Sequence, residues 1–88
     1  MSTSTQELYT ANLLMNNGIG TDTAEQLYRG VITTHEEFLP AASQDVLKIL
    51  ADAYYGLSSA LKRLGRDEEA KGAFARHKEL SDMMQQTH

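Results

Sequence analysis

"ALKRLGRDEEAKGAF", residues 60–74, sets one glycine between two apolar-periodic halves and follows it with a run of charge. Upstream, Val46, Leu47, Leu50, Ala53, Tyr54, Leu57, Leu61 and Leu64 recur at the three- and four-residue spacing that lines one face of a helix. Ser43 stands ahead of that stripe as an N-cap, because a serine oxygen can accept from an orphan amide of the first turn. Gly65 closes it, since glycine tolerates the left-handed conformation of a helix end. Downstream, Glu68 and Glu69 fall in a first turn, where carboxylates oppose the positive end of the helix dipole. Ala70, Phe74, His77, Leu80 and Met84 then mark the inner face of a second helix. The stretch is the elbow of a helical hairpin, with helices over 44–64 and 67–85.

The N-terminal half repeats the pattern. Ser4 and Glu7 have the spacing of a capping box. Leu8, Ala11 and Met15 form a stripe, widened by Leu14 and Tyr9, that Asn16, Asn17 and Gly18 stop. After the loop "GIGTD" a new start falls at Thr21 or Asp22, with Glu25 as its cap partner. Ala24, Leu27, Tyr28, Val31, Ile32, His35, Phe38 and Leu39 carry this helix to Pro40, which pushes the residue before it out of helical geometry. The predicted helices are 4–16 and 23–39. No segment alternates with period two, so the fold class is all-α: four helices in two antiparallel hairpins, forming one domain over 1–88. A plain up-down bundle, its helix pairs crossing near about 20°, is the other way to pack them.

Composition narrows the function classes. A chain of 88 residues buries roughly 60% of its unfolded surface, so a small core is expected, with added stability from a partner or a second copy. The chain has no cysteine, which removes disulfides, thiolate metal sites and cysteine nucleophiles. The start MSTSTQE lacks the basic and apolar regions of a signal peptide, no apolar run is long enough to span a bilayer, and a cytoplasmic protein is expected. A net charge of −4 argues against nucleic acid as a partner. Arg29 is the only base in residues 1–45, against Glu7, Asp22, Glu25, Glu36, Glu37 and Asp45, while Lys62, Arg63, Arg66, Lys71, Arg76 and Lys78 cluster late. That asymmetry would suit self-association as a homodimer.

Residues 51–74, ADAYYGLSSALKRLGRDEEAKGAF, resemble a tetratricopeptide (TPR) repeat, whose signature is W-x2-L-G-x2-Y…A-x3-F…P over about 34 residues. Here it reads Tyr54-x2-Leu57-Ser58-x2-Leu61, then Gly65 at the turn, then Ala70-x3-Phe74. Ser58 and Ala70 are small where two backbones cross; Tyr54, Leu57, Leu61 and Phe74 would fill the wedge between the helices. On that reading, Ala70→Leu overpacks the crossing at a cost of about 1–3 kcal/mol, and Phe74→Ala costs about 3–5 kcal/mol. The resemblance departs where the family's later small residue falls on His77 and its proline on Asp82, consistent with a terminal hairpin. It covers 51–84, with a degenerate copy over 4–36: Leu8-x2-Ala11-Asn12-x2-Met15, then Ala24-x3-Tyr28. Ala24 and Ala70 are about 46 residues apart rather than about 34, so extra turns belong at the end of the second helix and the start of the third. The resemblance implies right-handed stacking of the two hairpins, with a partner lying against the inner faces of the first helices. Those faces are Asp52, Tyr55, Ser59 and Lys62 in the strong hairpin, and Gln6, Tyr9, Leu13 and Asn16 in the weak one. Tyr55, Gly56 and Ser59 do not match the family's clamp for a C-terminal carboxylate.

Catalytic and metal signals are weak. His35 and His77 lie on apolar stripes and His88 is the last residue; neither Glu-x-x-His nor H-E-x-x-H spacing occurs. Adjacent helical residues do not share a face, so Glu36 and Glu37 in "HEEF" point away from His35. The six glycines form no phosphate-cradling pattern. No enzyme activity, metal or cofactor is expected. The expected function is a small adaptor binding a protein or peptide. A dedicated secretion or assembly chaperone for one client is the first alternative, and a helical bundle holding a small ligand or metal through His35 or His77 the second.

Overall fold

Four helices follow the apolar stripes: α1 (Thr3–Asn17), α2 (Thr21–Glu36), α3 (Gln44–Arg63) and α4 (Asp67–Gln85). They come from a computed structural model that describes residues 3–36 and 43–86, and no strand occurs among the described residues. The class is all-α, with each helix packed against the next in sequence. The expected helical end 37–39, with Phe38, Leu39 and the Pro40 stop, lies outside the described residues, as do Glu37 and His88.

Both elbows are built on glycine. Gly65 has φ +79°, its N–H donates to the Lys62 carbonyl at 3.1 Å, and the Arg66 N–H reaches the Leu61 carbonyl at 2.9 Å. This paired closure satisfies two orphan carbonyls of α3 and needs a residue without Cβ strain at the left-handed position. Gly18, with φ +70°, closes α1 in the same way: Gly18 N–H to Met15, Ile19 N–H to Leu14. At the start of α3, Ser43 Oγ accepts from the Val46 amide at 3.3 Å, as its position predicts. Two expected caps differ. α1 begins at Thr3, which places Ser4 inside the helix. Glu25 is not a cap partner; it is buried against arginines, one of them at the N-cap of α4.

The hairpins stack in a flat arrangement, 37 × 31 × 19 Å in extent, about two helix diameters thick. α2 packs on α3, and α1 touches α3 through its C-terminal end; among the described residues α1 and α4 make no close backbone approach. A closed four-helix bundle would bring those two together, so the up-down bundle is set aside. The main core joins Ala11, Met15, Ala24, Tyr28 and Val31 of the first hairpin to Ala53, Leu57, Ala60, Leu61, Ala70 and Ala73 of the second. Most of these partners are alanines, which lets the helices approach closely. A second cluster, Leu47, Leu50, Ala51 and Leu80, ties the early turns of α3 to the late turns of α4. The extra length expected at the start of the third helix is therefore used to build core.

One contact sets how the hairpins meet. Tyr28 is 1% exposed, and its ring lies directly on the backbone of Gly56 in the middle of α3, where a Cβ would overlap Cζ, Cε1 and Oη of the ring. Its hydroxyl donates to Asn12 Oδ1 of α1 at 2.5 Å. Burial pushes the Tyr28 phenol up, with Arg63 opposing the shift. Arg63 also caps α1 from outside, donating from Nη1 to the Met15 carbonyl at 2.7 Å.

Candidate functional site

Charge completes the hairpin junction. The Glu25 carboxylate, in a residue 5% exposed, accepts Arg66 Nη1 on both oxygens at 3.0 and 2.9 Å and Arg29 Nε at 2.8 Å. Arg66 in turn holds Glu69, with Nε–Oε2 at 2.7 Å, and Arg29 Nη2 reaches Glu69 Oε1 at 3.2 Å. Farther along, Arg76 bridges Glu36 at 3.4 Å and Glu79 at 3.0 Å. α2 and α4 make no close backbone contact among the described residues; these long side chains connect them instead. Two carboxylates of the acidic N-terminal half, Glu25 and Glu36, thus meet Arg66 and Arg76 of the C-terminal half within one molecule. "RDEEAK", expected to be chiefly a dipole-matched helix start, is in addition one jaw of this clamp.

The network has a pH signature. Hydrogen bonds from Arg66 hold the Glu69 carboxyl below its ordinary range, and the charges of Arg66 and Arg29 add to this. A depressed folded value means the unfolded chain binds the proton more readily. The contribution is therefore full above the ordinary glutamate value of about 4.3 and is lost as pH falls through the lower folded value. Thermal melts followed from neutrality into the acid range should show Tm falling, and Glu69→Gln should lower Tm at neutral pH and flatten that fall. An unchanged acid limb in the variant would remove Glu69 from the clamp.

A furrow of about 400 Å³ beneath these bridges is floored by Tyr54, Leu57, Leu61 and Ala73 and is crossed by the Arg29–Glu69 pair. The Tyr54 phenol there is pushed up, first by burial and then by the Glu36 carboxylate. On the opposite side of the second hairpin, α3 and α4 enclose a larger, open groove of about 870 Å³, lined by Tyr55, Ser59, Lys62, Lys71, Phe74 and Lys78. Three rings meet at its edge: Tyr55–His77 centroids are 5.3 Å apart, Phe74–His77 5.6 Å and Tyr55–Phe74 6.4 Å. Lys78 Nζ stands 6.0 Å from the Phe74 centroid. His77 is pinned by its Nδ1–H, which donates to the Ala51 carbonyl of α3 at 2.8 Å. That bond fixes the tautomer and turns the ring inward to α3.

Of the residues expected to meet a partner, Tyr55, Ser59 and Lys62 come together in the groove. Asp52 does not line it and pairs with Lys48 at 3.2 Å. Tyr9 and Leu13, 65% and 42% exposed, lie on α1 away from its lining. Among the repeat-signature residues, Leu57, Ser58, Leu61 and Ala70 are buried and Tyr54 is half-buried. Phe74 does not fill the wedge: it is 43% exposed, because Ala70 and Ala73 already occupy the face of α4 that meets α3. Phe74→Ala should then cost about 1 kcal/mol, well below the value for a buried ring. Denaturant titration checks this. Gly56 and Glu25 are the junction residues that sequence reasoning missed.

Among the described residues no group of three or more His, Asp or Glu side chains is placed to hold a metal ion, and no helix is long and apolar enough to cross a membrane. Compared with protein-family models, curated proteins and solved structures, the chain matches none.

Proposed function

We propose that this chain is a small, non-catalytic protein–protein interaction module of TPR-like type, and that its partner docks on the α3–α4 groove. The observation that carries the reading is the exposed Tyr55 and Phe74, packed with half-buried His77 at the edge of a groove with lysines on both walls. Large rings held in fixed positions at a surface offer contact area at low entropic cost, and tyrosine adds a polar handle. A TPR-like assignment is supported by the Gly65 elbow, the buried Leu57, Leu61 and Ala70, and the stacking of α3 on the first hairpin.

The test is affinity capture from the native host with two baits, the natural chain and a Tyr55→Ser/Phe74→Ser variant whose helicity and melting are first checked. The natural bait should retain a stoichiometric protein that the variant loses. Identical captures, or none, would overturn the reading. One recurring client would narrow the role to a dedicated chaperone.

A further inference from the structure

The two hairpins carry the same motif, and comparing them position by position shows how the groove is filled. At the spacing that relates Ala24 to Ala70, Ala11 matches Leu57, Asn12 matches Ser58, Met15 matches Leu61, Tyr28 matches Phe74 and Val31 matches His77. Ala11, Met15 and Ala24 are buried, and so are their counterparts Leu57, Leu61 and Ala70. These positions belong to the interior of each hairpin. Tyr28 and Val31 are 1% and 0% exposed, whereas Phe74 is 43% exposed and His77 half-buried. The difference is α3: it covers this face of the first hairpin and presents Gly56 to the Tyr28 ring. The α4 wall of the α3–α4 groove is the corresponding face of the second hairpin, while Tyr9 and Leu13, the counterparts of Tyr55 and Ser59 on its α3 wall, stay exposed on α1.

Resting on the docking reading above, we infer that the partner enters this groove as an amphipathic helix. It lies as α3 lies on α1 and α2, places a glycine or similarly small residue over Phe74, and carries acidic residues at its flanks. The small residue follows from the first hairpin, where the ring at this place is covered by a helix backbone brought close at Gly56. The acidic flanks answer Lys62 and Lys78, which make no ion pair among the described residues; Lys71 is 3.9 Å from Glu68. Asp67 and Glu68 line only the groove end at the first turn of α4.

A second copy of the chain fits poorly. Pairing two such faces about a twofold axis would bring Lys62, Lys71 and Lys78 of each copy together, with only Asp67 and Glu68 of each to offset them. Head-to-tail stacking would present α1, whose Glu7, Thr10 and Leu14 stand where α3 has Ala53, Gly56 and Ala60. No cleft for Phe74 is formed by that trio.

The probe is a peptide of residues 44–63, the α3 sequence, with Lys48, Lys62 and Arg63 changed to glutamate, titrated against the full chain by fluorescence anisotropy. Binding is expected, weakened about tenfold or more by Phe74→Ala in the chain and likewise by Gly56→Leu in the peptide. Binding indifferent to both changes, or no binding, overturns the inference. So does sedimentation showing a dimer that Phe74→Ser dissolves, since the occupant would then be a second copy. Loss of peptide binding alongside a partner capture that still depends on Tyr55 and Phe74 would sink the helical geometry and leave the docking reading standing. Failure of both would sink the two together.

Discussion

Tyr28→Ala is expected to lower the free energy of unfolding by about 3–5 kcal/mol, the range for truncating a fully buried aromatic side chain. Three losses add at this site. The ring's apolar area returns to water, Asn12 loses the hydroxyl that its Oδ1 accepts at 2.5 Å, and a cavity opens between α1, α2 and α3. The surroundings cannot easily collapse into it. Ala24, Ala53 and Ala60 are fully buried in the same core, and alanine has no side chain to swing into a gap. Set against a total stability of about 5–15 kcal/mol for domains of this kind, the change removes a large share. Urea titration followed by far-ultraviolet circular dichroism measures it. Tyr28→Phe, which keeps the ring, should lose about 1 kcal/mol. If Tyr28→Ala is near neutral, the ring is not the pin between the hairpins.

The second large effect is expected at Gly56. In an isolated helix, replacing a central glycine by alanine stabilises by about 1 kcal/mol. Here the added Cβ would overlap Cζ, Cε1 and Oη of Tyr28, and Asn12 holds the hydroxyl at that same end of the ring. Overpacking then outweighs propensity. Gly56→Val, which combines that overlap with a stiff β-branched side chain, should cost about 3 kcal/mol. Gly56→Ala should cost less but keep the same sign. The pair gives a sharper check than either residue alone. In a Tyr28→Ala background the obstruction is gone, so Gly56→Ala should reverse sign and stabilise by about 1 kcal/mol, as propensity alone demands. Absence of that reversal in a double-mutant cycle would show that the two residues do not touch.

The groove and the clamp were legible in the sequence to different degrees. Tyr55, Ser59 and Lys62 were readable as one surface because residues three and four apart on a helix share a face. Phe74 was assigned to the core by the same rule and lies outside it. Its stripe with Ala70 and His77 is real, but α4 has a second stripe, Ala70–Ala73–Leu80, whose small residues do not advertise themselves by hydropathy. Glu25 was invisible as a junction residue, since a glutamate near a helix start has an adequate local explanation. Only the return of Arg66, at the N-cap of α4, completes the pairing that gives its burial a cause.

The features legible without tertiary structure are local: four helical stretches, turns at Gly18 and Gly65, the Ser43 cap of α3, and the packing of each helix on the next. Those follow from φ/ψ preference, capping chemistry and a periodicity that needs no partner to be read. Tertiary structure alone decided which apolar face is covered. Tyr28 and Phe74 each stand four residues after a buried alanine, Ala24 and Ala70, yet one is buried and the other faces solvent. The side chain is the same kind in both; the difference is that α3 brings a glycine within reach of the first ring, and hydrophobic burial depends on what approaches a surface from elsewhere in the fold.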